Sequence, residues 1–246
     1  MIRELQERAA RALPAERVER IGGWWLRHAP GCSWWVGTVL PHGDGEPEEL
    51  ARRITEAEEF SSRHDVVTRF QITPGACPDV LDDLLAGRGY RRDGSMSLQV
   101  ATTERVLEAG RPAGALRVRV DERATRAWFG TWHAVHGGDA RSEWRLLERI
   151  ERPCAYARVL SGNEVVAVGR TVADDGWAGV FGMATLPEAR GKGAARAVLA
   201  ALADWAAARG AGRMYLQVER DNTAAVRLYR RAGFGELSEY HYRTAR

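Results

Sequence analysis

The stretch Trp177–Ala208 constrains this chain more than any other. Ala178–Thr185 is a mostly apolar run with the length and bulk of a strand buried on both faces. Leu186-Pro187 breaks it, and the polar loop Glu188-Ala189-Arg190-Gly191-Lys192-Gly193 follows. From Ala194 the sequence becomes alanine-rich and helical, with Gly210 placed to end the helix in the left-handed conformation. Strand, glycine loop and helix N-terminus in that order make an anion site. Loop glycines let backbone N–H groups turn inward, and first-turn N–H groups have no partner within the helix. Arg190 and Lys192 add positive charge at the same place. The stretch reads as a cradle for a pyrophosphate.

Two familiar cradles are excluded. No Gly-Lys-Ser/Thr closes the loop, so nothing is offered to a nucleotide-bound magnesium ion. Gly191 and Gly193 lack the third glycine of a dinucleotide fingerprint, and no acidic ribose ligand follows at the usual distance. A second block comes after the helix. Met214–Val218 reads as a strand, Glu219–Asn222 as a turn, Thr223–Arg231 as a short helix, and Gly233-Phe234 as its stop. Taken singly, Asn222 suits a helix cap, Tyr229 a core aromatic and Gly233 a C-terminal cap.

In order, these residues resemble a known family. Arg190-Gly191-Lys192-Gly193-Ala194-Ala195 is similar to the Arg/Gln-x-x-Gly-x-Gly/Ala signature of the GNAT superfamily of N-acetyltransferases. Asn222-x-x-Ala225-x-x-Leu228-Tyr229 followed by Gly233-Phe234 resembles the distal block of the same family. The resemblance implies an acetyl-CoA site. Its pyrophosphate would be held by Arg190, Gly191, Lys192, Gly193, Ala194 and Ala195, and its pantetheine arm by Asn222 and backbone groups of Met183, Ala184 and Thr185. Tyr229 would face the thioester sulfur and act as the acid.

The rest of the chain extends the resemblance. Residues 1–20 read as one or two short helices broken at Pro14, Ile21–His28 and Cys32–Leu40 as aromatic strands, and Glu48–Arg63 as a helix. Val66–Ile72 is a strand, Pro78–Ala86 a helix and Ser95–Val100 a final strand. That order repeats the one from residue 177 onward, and LDDLLAGRGY (81–90) echoes LYRRAGF (228–234), so the chain reads as a degenerate tandem repeat. The expected plan is α/β (α+β), tandem GNAT-like mixed sheets flanked by helices. A degenerate first domain spans 1–101, a linker 102–114 rich in Gly and Pro, and a catalytic domain 115–246. In that second half Leu116–Val120 is a strand and Asp121 a cap for a helix reaching His136. Ala140–Ile150 is a helix, and Ala155–Leu160 and Val165–Val172 are a hairpin. Tandem acetyltransferases of the mycothiol synthase type share this plan. Where the second half has its cradle, the first has Pro41-His42-Gly43-Asp44-Gly45-Glu46, with acids in place of cations.

Composition narrows the rest. The 36 basic residues nearly balance 33 acidic ones for a net charge of +3, and no basic stripe interleaves with aromatics, which argues against nucleic acid. Three cysteines (Cys32, Cys77, Cys154) stand at no metal spacing, and the pair His133 and His136 has no third ligand at sensible distance, so no metal is expected. The Ala194–Ala208 helix is too short to span a bilayer and carries Arg196 and Asp204. The expectation is a soluble, cytoplasmic monomer or homodimer with a small-molecule amine as partner, an antibiotic or an intermediate of specialised metabolism. A protein or peptide N-acetyltransferase and a non-catalytic acyl-CoA-binding module are the alternatives. The base is the open question, since Trp177–Thr185 holds no carboxylate. Glu219, Glu239, His241, Asp139 and Glu143 are the candidates, each better suited to a solvated surface. Trp128, Trp132 and Trp144 suit a core, or the acceptor wall that the resemblance places on these helices.

Overall fold

The structure, a computed structural model, describes residues 1–110 and 116–246. These fall into two compact units. One comprises Met1–Ser97, Glu219–Asp221 and Leu237–Arg246, and the other Leu98–Val218 and Asn222–Glu236. The last ten residues of the chain therefore belong with its N-terminal part, an exchange that no local sequence pattern announces.

In the first unit, helix α1 (Ile2–Ala12) precedes a hairpin of β1 (Arg17–Ile21) and β2 (Trp24–His28). The run expected as one strand from Ile21 is instead the turn and second arm of this hairpin. Gly22 and Gly23 take φ of 50° and 89°, the left-handed pair that a tight hairpin turn requires. The strand expected over Cys32–Leu40 is also different, because Trp34–Gly37 forms a single 3₁₀ turn. The buried Arg27 gathers that turn: its guanidinium donates to the Trp35 carbonyl (3.1 Å), the Thr38 carbonyl (2.9 Å) and the Thr38 hydroxyl (2.7 Å). Extended backbone remains at Val39, which bridges Phe70 in parallel, and Leu40, which bridges Trp25. Helix α2 (Pro47–Arg63), β3 (Arg69–Ile72), α3 (Leu81–Gly87) and β4 (Arg91–Thr102) follow. The C-terminal strand β10 (Gly235–Thr244) pairs antiparallel with β3, His241 opposite Ile72. Trp24, Leu26, Leu50, Ile54, Phe60, Phe70 and Leu81 form the core of this unit.

The second unit begins within β4, at Leu98, and continues into α4 (Thr103–Ala109), capped by the Thr102 hydroxyl, where a linker was expected; residues 111–114 of that linker lie outside the described residues. The helix forms because Val106 and Gly110 pack on the alanine face of α7 (Ala194–Ala207), where a Cβ on Gly110 would strike Ala200. Strands β5 (Arg117–Asp121), β6 (Cys154–Ser161), β7 (Glu164–Asp174) and β8 (Trp177–Thr185) pair antiparallel in sequence order, and β9 (Arg213–Glu219) joins β8 in parallel. Helices α5 (Arg126–His136) and α6 (Ala140–Glu148) connect β5 to β6, and α8 (Thr223–Arg231) follows β9. Thr125 rather than Asp121 caps α5, accepting from the Trp128 amide at 3.2 Å. Helix α7 buries Val198, Leu199, Leu202, Ala203 and Ala206 in the main core. Truncating a fully buried leucine there, such as Leu202, costs about 2–5 kcal/mol. That packing holds the N-terminus of α7 at the end of β8.

Candidate active site

Strands β8 and β9 part company midway. Their parallel ladder runs from Trp177 opposite Arg213 to Val180 opposite Leu216 and ends there, though β8 continues to Thr185 and β9 to Glu219. The cause lies on the other edge of β8. Between the pairs Val168–Ala184 and Arg170–Phe181, β7 spends one residue and β8 two, a bulge made by Gly182 and Met183 against Gly169. A bulge bends its strand and steepens the twist. Gly182 sits at φ 59°, and a Cβ there would press within 3.3–3.4 Å of the Trp132 and Trp128 rings. Trp128 is locked in turn by its indole N–H on the Gly169 carbonyl at 3.0 Å. The result is a cleft with backbone on both sides.

At the end of β8 the expected cradle is assembled. Gly191 and Gly193 adopt φ of 74° and 83°. Gly193 is the N-cap of α7 and no side chain caps that helix, whereas Thr102, Thr125, Asp139 and Asn222 cap the other four α-helices of the unit. The first-turn amides of Ala194, Ala195 and Arg196 precede the first intrahelical bond, Ala197 N–H to the Gly193 carbonyl at 3.0 Å. Beyond the chain neighbours, no atom of the described residues lies within 4 Å of where a Cβ on Gly191 or Gly193 would sit. Exposed Lys192 crowns the loop, and Arg190 ties it to the strand by donating to the Thr185 carbonyl at 3.3 Å. Open space, uncapped amides and two cations fit a pyrophosphate.

The distal block lies in the same unit but divides its work. Asn222 is the side-chain cap of α8, its Oδ1 accepting from the Ala225 amide at 3.1 Å, and among the described residues no acceptor takes its amide N–H groups. Tyr229 is buried on α8 and meets Phe234 edge-on. Burial pushes its phenol up to about 12, so the group holds its proton at neutral pH.

The sequence-stated bases sort themselves by location. Glu219, Glu239 and His241 belong to the first unit, where Glu239 pairs with Arg220 and His241 bonds Asp82 at 2.8 Å. Asp139 caps α6 by accepting from the Ser142 amide at 2.8 Å, which holds its carboxyl below the usual range. Glu143 is buried rather than solvated, and its charge reaches both the buried Arg170 and His136. Arg170 stands between Tyr156 and Phe181 across three strands, its guanidinium 4.8 Å from the Phe181 ring centre. The residue that sequence reasoning passed over is His136. It was weighed only as half of a metal pair, yet its Nε2 lies 3.3 Å from the carbonyl oxygen of Met183, on the bulge itself. His133 turns away to the Gly138 carbonyl, 3.1 Å from its Nε2. Trp128 is core, while Trp132 and Trp144 are half-buried on the same wall. Among the described residues no three His, Cys, Asp or Glu side chains come together as a metal site.

Residues 117–234 match the acetyltransferase (GNAT) family. The second unit is a GNAT acetyltransferase domain. Over its whole length the chain is 29% identical to the N-acetyltransferase YobR of Bacillus subtilis, 99% of which is covered. It is also 28% identical to the mycothiol acetyltransferase of Saccharopolyspora erythraea over 56% of this chain and 48% of that one. A tandem GNAT protein from the clavulanic acid biosynthesis pathway superposes with a TM-score of 0.69 at 13% identity, covering 95% of this chain and 84% of its own, a likeness of fold. The chain is an acyltransferase and a mixed α/β protein as its sequence suggests, with a fold like that of the tandem GNAT protein. Among its described residues no helix is long and apolar enough to cross a membrane.

Proposed function

We propose that this chain moves an acetyl group from acetyl-CoA to a primary amine of a small molecule, the amine attacking the thioester directly. The observation that carries this reading is the ladder ending at Val180 and Leu216 directly before a helix N-terminus with no side-chain cap. A cleft of that kind takes an extended arm as a pseudo-strand at one end and its phosphates at the other. Bound there, acetyl-CoA supplies the activated acyl group. Gly191, Gly193 and the first-turn amides of Ala194 and Ala195 hold the pyrophosphate, with Arg190 and Lys192 adding charge. Met183, Ala184 and Thr185 align the arm through backbone groups, and the free amide of Asn222 meets it from the far side. A backbone N–H at the bulge polarises the thioester carbonyl, the role of an oxyanion hole. Tyr229 holds a proton for the departing sulfur.

The acceptor wall of Trp132, Trp144, Phe181 and His136 is aromatic, with the Glu148 carboxylate held by the Trp144 indole N–H at 2.6 Å, which suits a small, partly apolar amine. A thiol-release assay over a broad amine panel tests the reading. Turnover of one or more small primary amines supports it. Acetylation of peptides alone, or acetyl-CoA binding with no acceptor turned over, would replace it with the protein-acetylating or the binding-module reading.

A further inference from the structure

The carboxylate-free β8 leaves the acceptor's proton unaccounted for, and the geometry points to His136 as the group that takes it. This rests on the acetyl-transfer reading above. His136 is the last residue of α5, and two contacts fix its ring. Its Nε2 is 3.3 Å from the Met183 carbonyl oxygen. A carbonyl only accepts, so Nε2 is the donor and carries the hydrogen, leaving the lone pair on Nδ1. Trp132, one helical turn earlier, stacks on the imidazole with centroids 5.2 Å apart and planes 29° from parallel. The side chain nevertheless stays exposed, so a proton accepted at Nδ1 passes on to water. Because its partner is the bulge residue, the imidazole is anchored to the turn that bends β8 away from β9.

The step balances simply. The amine nitrogen attacks the thioester carbon, forming the C–N bond. The amine's proton goes to Nδ1 of His136, the C–S bond breaks, and the thiolate leaves with its electron pair and is protonated from Tyr229. The products are the amide and a free thiol; His136 releases its proton to water, Tyr229 regains one from water, and no oxidant or further reactant is needed.

The surroundings keep the ring neutral and ready. Partial desolvation against its packed neighbours lowers the His136 pKa below that of a free imidazole, and the Met183 carbonyl and the Glu143 carboxylate offset part of that. Glu143 of α6 is the charged group facing the ring from a neighbouring element; β8 presents a carbonyl, and α5 itself presents Trp132. At pH 7 to 8 the imidazole is therefore mostly the free base.

The test uses the full chain and whichever of tryptamine, tyramine, spermidine or neamine it acetylates fastest. In His136→Gln the amide nitrogen can still donate to Met183 but offers no base, and His136→Ala removes both functions. Wild type should show an acidic limb in kcat/KM with an apparent pKa below 6.5. Both variants should lose about 100-fold at pH 7.5 and lose that limb, while acetyl-CoA affinity by calorimetry and the melting temperature stay near wild type. Recovery of activity and of the acidic limb in the glutamine variant would reduce His136 to a positioning residue and overturn the assignment alone. A wild type that binds acetyl-CoA yet acetylates none of the four overturns the functional reading and this assignment with it.

Discussion

Arg243, three residues from the end of the chain, grips both carboxylate oxygens of Asp82 at 2.7 and 3.1 Å, 161 residues earlier in the sequence. His241 on the same strand adds a third bond at 2.8 Å, and Arg243 also donates to the Tyr90 carbonyl at 3.2 Å. These bonds clamp β10 to α3. The Arg243 guanidinium, more than His241, pulls the Asp82 carboxyl down to about 2. A carboxyl with a lowered folded-state pKa contributes stability that is full above its unfolded value, about 4, and is lost as pH falls through about 2. Asp82→Asn should therefore cost about 1–3 kcal/mol at pH 7. Urea titrations from pH 7 to pH 2.5 should show the gap to wild type narrowing below pH 4. A gap independent of pH would mean the clamp is not electrostatic.

The same exchange decides what a truncated chain can do. A fragment of residues 115–246 keeps the whole GNAT signature but loses β3, the antiparallel partner of β10. It also loses α4, leaving the Ala200 face of α7 uncovered, and the Thr103 hydroxyl that donates to the Ala211 carbonyl at 2.5 Å. Unpaired strand edges and bare apolar faces favour aggregation. Circular dichroism and the thiol-release assay should find the fragment misfolded or inactive. Coexpression with residues 1–114 should restore a folded complex. Full activity of the fragment alone would contradict this.

The second unit was legible because its signals are local. The apolar run of β8, the glycines of the loop, the alanine-rich α7 and the Asn-to-Tyr spacing of α8 each lie within one short window. The first unit was harder because its deciding interactions are not. Arg27 turns Trp34–Gly37 into a 3₁₀ turn by reaching across from another strand, and aromatic bulk at Trp34 and Trp35 reads as strand until that reach is seen. Gly22-Gly23 was a readable hairpin signal, outweighed by the two tryptophans after it. The partner of β10 could not be read at all, since its register is set by residues some 170 positions away. In the candidate site, the loop glycines with Arg190 and Lys192 pointed to the cradle. His136 escaped because its role depends on a carbonyl of the bulge, which no side-chain pattern records.

Gly193 is needed for its backbone rather than for space. At φ 83° it turns the loop into α7, and beyond its chain neighbours a Cβ there would meet no atom of the described residues within 4 Å. A β-branched residue is strained in that region, by about 1–2 kcal/mol or more. Gly193→Val should thus turn the first-turn amides out of line and cut acetyl-CoA affinity at least 10-fold by calorimetry, with only a modest fall in melting temperature. Lys192→Ala, which removes one exposed charge, should weaken binding about two- to fivefold. If Gly193→Val binds as wild type does, the phosphates are held elsewhere.

Tyr229→Phe keeps the edge-on packing with Phe234 and deletes the phenol proton. A thiol has a free pKa of about 8.5. Since burial raises the phenol to about 12, it yields its proton less readily than an ordinary tyrosine would. The expected loss in kcat is therefore at the low end for a general acid, about 10- to 100-fold. Acetyl-CoA affinity should change less than twofold. Steady-state kinetics beside calorimetry separate the two, and unchanged turnover would make Tyr229 a core aromatic.

One chain should bind one acetyl-CoA, despite its repeated plan. The first unit has the same local order as the second: Val39 bridges Phe70 in parallel, a loop follows at Pro41–Glu46, and α2 begins at Pro47. Yet the charge that welcomes an anion after β8 is reversed there. Pro47 removes one first-turn N–H, and Glu48 and Glu49 place carboxylates in that turn. Arg53, on the next turn, is nearly buried and spends its guanidinium inside the protein. It donates to the Asp44 carbonyl at 3.0 Å, pairs with Glu49, and lies against Gly22, so a Cβ on that glycine would strike it. His42, wholly buried and bonded to Glu7, is pushed down to about 4 by burial and brings no charge at neutral pH. A pyrophosphate there would face like charge, at a cost on the order of 4 kcal/mol for one pair about 4 Å apart at an effective dielectric of about 20. Calorimetric titration of the full chain with acetyl-CoA should give a stoichiometry near one, and Gly193→Val should weaken that one site rather than expose a second. Arg53→Ala, which opens the plug but leaves Pro47 and both carboxylates, should not raise the count. A stoichiometry of two in wild type would show that the loop before α2 still holds phosphate.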